Sequence, residues 1–161
     1  MAVGITMRVT ILTGSDELNL SLKRYLSFIF LKELKKIFTA RLGEPESLQS
    51  EMLSSRMWIA EAFNPVNIEN PEGFRTVKKF AGKAKVLLLF VSHIPRNLPS
   101  KGSFWLMLPS VAPISEKIRE ILNSPPPSEE DFQYLEKLWP MLKAEPSFHH
   151  HKRHYEDFNS R

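Results

Sequence analysis

The chain contains no cysteine among its 161 residues. A disulfide framework, a thiol nucleophile and a Cys-based zinc site are thereby excluded, and an intracellular setting is favoured. Long apolar runs are missing too. Val86–Val91 is the longest uninterrupted apolar stretch that reads as a strand, far short of a membrane span. The N-terminus has no charged region followed by an apolar signal stretch, so the chain reads as cytoplasmic, with no membrane partner. No internal repeat is present. What remains is an ordinary globular composition, 42% hydrophobic and 25% charged, long enough for one domain with a substantial core and a small appendage. The net charge of +4 is unevenly placed: residues 1–124 hold 17 Lys or Arg against 11 Asp or Glu, and residues 125–161 hold 5 against 7. A basic body can attract nucleic acid, anionic lipid or an acidic protein partner, but the plainer reading is a solvated surface with a modest excess of lysine.

Strand and helix patterns alternate along the chain. Met7–Thr13 is apolar and β-branched and runs into Gly14-Ser15-Asp16-Glu17, a turn with helix-start chemistry. Leu18, Leu22, Tyr25, Leu26 and Ile29 then recur at helical spacing, predicting an amphipathic helix that ends near Leu34. Lys36–Leu42 reads as a short strand closed by Gly43, and Pro45–Ser55 as a second helix with Leu48, Met52 and Leu53 on its apolar side. Met57–Phe63 is the third strand, and Pro65 prevents its continuation. Asn70-Pro71-Glu72 opens a helix reaching Ala81. Val86–Val91 lacks any polar alternation, as a central parallel strand covered on both faces should. His93–Gly102 reads as loop, Phe104–Leu108 as the fifth strand and Ser115–Leu122 as a helix. Five such rounds predict an α/β fold, a doubly wound five-stranded parallel sheet of flavodoxin-like order 2-1-3-4-5. The boundary falls at Asn123–Pro127, dividing a domain over 1–124 from a region over 125–161 that holds a proline spacer, an extra helix at Ser128–Leu142 and a His-rich tail.

Ligands of such sheets bind outside the carboxyl ends of the strands, where strand order reverses. Asp16 and Glu61 are expected to face one another there with Ser92 beside them, either holding a divalent cation through oxygen or capping the helices that follow. Over residues 7 to 124, Ser15-Asp16 follows the first strand, Glu61 stands on the third with Pro65 four positions on, Ser92 follows the fourth and Leu108-Pro109 comes at the end of the fifth. In that order they resemble the two adjacent acidic residues, the phosphoacceptor strand, the switch residue and the Lys-Pro motif of the receiver domain of response regulators. Asp16 and Glu61 are 45 positions apart. The departures carry the functional expectation. Phosphoryl transfer is catalysed by positioning and charge stabilisation. Here Glu61 replaces the aspartate nucleophile and its extra methylene pushes the carboxylate outward by a bond length, where a misplacement of about 1 Å costs about a hundredfold in rate, Ser15 removes one cation ligand, and Leu108 removes the lysine.

The resemblance therefore implies a pseudo-receiver: a non-enzymatic signal-transduction module of two-component type, with no cofactor and no metal, docking a protein partner or itself. The region of the fourth and fifth strands and the apolar stripe of Ser128–Leu142 are the expected contacts. In this reading Glu61 either places a permanent negative charge where a phosphoaspartate would be, or is a tolerated polar residue at a solvent-open strand end. Alternatives from other classes are a cation- or nucleotide-binding flavodoxin-like enzyme using Asp16, Glu61 and Ser92, and a nucleic-acid binder using Arg75, Lys78, Lys79, Lys83 and Lys85. Nucleic acid is not expected, because that cluster lacks interleaved aromatics. The Thr13-Gly14-Ser15 turn has too little glycine for a phosphate loop, and His149-His150-His151 reads as an adventitious metal binder. Trp58 and Trp105, within strands, read as core.

Overall fold

The computed structural model describes residues 7–29, 34–64, 70–80, 82–90, 105–107 and 114–143. Strand β1 (Met7–Thr13) leads to helix α1 (Asp16–Ile29), β2 (Leu34–Arg41), β3 (Met57–Glu61), α2 (Glu72–Phe80), β4 (Lys85–Phe90), β5 (Trp105–Met107), α3 (Ile114–Leu122) and α4 (Glu129–Lys143). All strand pairs are parallel and lie in the order β2-β1-β3-β4, with the three-residue β5 beside β4. This is an α/β fold whose order is consistent with the flavodoxin-like arrangement, reversing direction between β1 and β3. Among the described residues no helix is long and apolar enough to cross a membrane.

The sheet is covered on both faces, which is why β3 and β4 carry apolar side chains almost without interruption. Leu18, Leu22 and Leu26 of α1 and Ile118 and Ile121 of α3 pack on Val9, Ile11, Ile59, Leu87 and Leu89. On the opposite face Phe74 and Val77 of α2, with Phe132 and Leu135 of α4, pack on Leu12, Trp58, Ala60, Val86 and Leu88. Each fully buried leucine or valine contributes about 1.5–3 kcal/mol.

Helix α4 belongs to this core. Its Phe132 ring lies 5.7 Å from that of Phe74, Leu135 is fully buried, and Lys78 of α2 pairs with Glu136. The part of its apolar stripe formed by Phe132 and Leu135 is therefore spent on its own chain rather than offered to a partner. The Ser128 hydroxyl accepts the N–H of Asp131 while the Asp131 carboxylate accepts the N–H of Ser128, a reciprocal cap that starts the helix. Pro140 lies within the helix, which runs on to Lys143.

Two element expectations are corrected. Leu34 begins β2 instead of ending α1. The helix expected over Pro45–Ser55 is replaced by two 3-10 turns, Pro45–Ser47 and Met52–Ser54. Serine side chains explain the second difference, since they offer the backbone competing hydrogen bonds. The Ser47 hydroxyl accepts the Arg41 N–H and donates to Glu44 O, the Ser54 hydroxyl donates to Glu51 O, and Leu48 is extended. Only Met52 of that segment's expected apolar side is buried; Leu48 is half-buried and Leu53 exposed.

Candidate functional site

The carboxyl ends of β1 and β3 meet at the reversal of strand order, where Glu61 ends β3. Its side chain is 0% exposed. One carboxyl oxygen, Oε1, accepts the Gly14 N–H at 2.9 Å, and Oε2 is buried with no hydrogen-bond partner among the described residues. Burial disfavours the charged form and pushes the Glu61 pKa from 4.5 up to about 8, against the smaller opposing pull of the Gly14 N–H. At neutral pH burial thus favours the uncharged carboxylic acid. The expectation of a solvent-open strand end is corrected, and the burial weighs against a permanent negative charge there.

The backbone at the end of β3 is fixed by the return of the chain in α2. Ala62 continues the ladder by donating its N–H to Leu89 O, and the Phe74 N–H in the first turn of α2 donates to Ala62 O at 3.2 Å. Gly73 lies so close to the end of β3 that a Cβ there would stand 1.7 Å from the Glu61 carbonyl oxygen. Only a residue without a side chain lets α2 seat at this distance. Beside it, Glu72 uses both carboxylate oxygens, accepting the Gly43 N–H at 2.7 Å and the Asn64 Nδ2–H at 2.9 Å. Gly43, at φ +86°, supplies the left-handed turn that aims its N–H there.

The other residues singled out from sequence have different partners. Ser15 is the N-cap of α1, its hydroxyl accepting the Leu18 N–H at 3.2 Å. Asp16, in the first turn, is exposed and pairs with Arg41 at 3.2 Å, and Arg41 also reaches Glu44 at 3.6 Å. Asp16 and Glu61 are thus engaged by separate groups. No set of three His, Cys, Asp or Glu among the described residues is arranged to hold a metal ion. The Thr13 hydroxyl donates to Asn19 Oδ1 and the Asn19 amide donates to Ala40 O, a buried chain that fixes the start of α1 against β1 and β2. Ser92, Leu108, the loop over 93–102 and the histidines at 149–151 lie outside the described residues. Trp58 is fully buried, as its position in a strand predicts, and the side chain of Trp105 lies outside the description.

Gly73, Glu72, Asn64 and Gly43 were not singled out from sequence as site residues. The one available signal is Gly73 itself, a poor helix former placed two residues after Pro71 where nothing in the helical pattern calls for it. Comparison with family models, curated proteins and solved structures finds no match to this chain.

Proposed function

We propose that the chain is a phosphorylation-independent protein-interaction module on a receiver-like scaffold, serving signal transduction. The observation that carries this reading is the state of Glu61. A phosphoacceptor must be an exposed, ionised carboxylate beside a cation and a neutralising lysine. Glu61 is buried, favours the neutral form and is tied to Gly14, and the acceptor-strand resemblance places it where such a group would act. The same contact weighs against the enzyme alternative. The Gly14 N–H at the crevice between β1 and β3, a donor that an anionic ligand could use, is occupied by the protein's own side chain.

A module of this kind works through a fixed shape, and the bonds joining β1, β3 and α2 at this point supply one. Because Phe132 and Leu135 are buried against α2, partner contacts fall on surfaces other than that part of α4. The test is incubation of the full chain with an acyl phosphate and magnesium, read by intact mass. An unchanged mass, together with no magnesium-dependent shift of the Gly14 amide resonance, supports the reading. A stoichiometric phosphoryl adduct on Glu61 overturns it.

A further inference from the structure

Where the expected helix over Pro45–Ser55 is missing, the two 3-10 turns cover less of the sheet and leave a cleft against α2. Its volume is about 550 Å³, within the range of small-molecule sites. The walls are predominantly apolar, with Leu12 from β1, Leu48 and Leu53 from the 3-10 segment and Phe80 from α2.

The charges around it are unequal in their freedom. Glu72 has both oxygens on Gly43 and Asn64, and Glu44 and Arg41 are within 3.6 Å of one another. Among the described residues, by contrast, exposed Arg75 makes no ion pair and Lys79 has only the Phe80 ring, 5.1 Å away. These two are one helical turn apart and line the same cleft. Thr76 adds a hydroxyl to the lining between them. Apolar walls beside two uncommitted cations complement a molecule with an apolar body and an anionic head.

We infer that this cleft binds a small organic anion, a phosphate or carboxylate carried on an apolar body, with Arg75 and Lys79 holding the head group. The inference is independent of Glu61 and of the interaction role, because the cleft does not include the crevice between β1 and β3.

The test uses the full chain and two dyes, the anionic anilinonaphthalene sulfonate and the uncharged N-phenyl-1-naphthylamine. The sulfonate dye is expected to saturate at one site per chain. The double substitution Arg75→Gln/Lys79→Gln weakens it by about tenfold or more, a change of about 1.4 kcal/mol or more, and leaves the uncharged dye unaffected. Thr76→Trp, which fills the cleft, removes both signals without lowering the thermal midpoint. The double substitution is on exposed side chains and keeps the test sound should the tryptophan variant misfold. Competition by decanoate assigns a chain-like body and competition by adenosine monophosphate a flat one. Equal sulfonate affinity in the double variant, dye signals that track self-association in sedimentation, or failure of both competitors at millimolar concentration overturns the inference.

Discussion

The two faces of the sheet are closed by different means. On one, α1 and α3 present leucines and isoleucines at helical spacing, and the cover is continuous apolar packing. On the other, α2 and α4 cover the β3–β4 side, while two 3-10 turns stand where a third helix was expected and leave a cleft. The second face is held by polar contacts at its upper rim, through Glu72, Asn64 and Gly43, and by the close seating of Gly73 on the end of β3. One face is thus a plain core. The other combines a core and an open groove, while the buried acid Glu61 follows Met57 and Ile59 in the strand alternation and so stands at the carboxyl edge of the first face.

The largest effect is expected where α2 touches β3. Gly73→Ala sets a methyl group against the Glu61 carbonyl backbone, which cannot move without disturbing the sheet. A loss of about 3 kcal/mol or more in chemical denaturation is expected, at the upper end of overpacking costs; a loss of under about 1 kcal/mol would show that α2 is not locked as described. A paired substitution sharpens the contrast between the faces. Leu26→Ala, in the closed core, should cost about 2–5 kcal/mol, whereas Leu48→Ala, half-buried at the cleft, should cost about 1 kcal/mol. Equal losses would mean that the two faces are equally packed. The smallest effect belongs to the rim. Asp16→Asn removes an exposed ion pair with Arg41 and should alter stability by no more than about 0.5 kcal/mol.

Most of the architecture is legible in the residues themselves. Val86–Phe90 announces a central strand because nothing in it is polar, and Leu18, Leu22 and Leu26 announce the inner side of α1. The segment at Pro45–Ser55 misleads, because its apolar spacing and N-terminal proline satisfy the rules for a helix while its serines bond the backbone locally. Local competition of this kind depends on which carbonyl lies within reach, and spacing alone does not reveal it. Glu61 is found by position but not by state. Whether a carboxyl at a strand end is wet or dry depends on what the fold brings against it, here the Gly14 N–H from 47 positions earlier. Asp16 shows the converse, a residue of the same acidic type two positions from Gly14 that is exposed and pairs with Arg41.

The central claim is that Glu61 closes the crevice between β1 and β3 as a neutral acid. Its proton is shared by folded and unfolded chains below pH 4.5, is kept only by the folded chain between 4.5 and about 8, and is lost from both above that. Stability conferred through this group is therefore full below pH 4.5 and declines as pH rises to about 8, with a slope of at most about 1.4 kcal/mol per pH unit. Glu61→Gln, which cannot ionise, should abolish that slope. The most direct measurement is a pH titration of the Glu61 side-chain carboxyl carbon by NMR on the folded chain. A midpoint near 8, accompanied by a shift of the Gly14 amide, is the predicted result. A midpoint near 4.5 would mean that the carboxylate is charged and solvated at neutral pH, and would contradict the account.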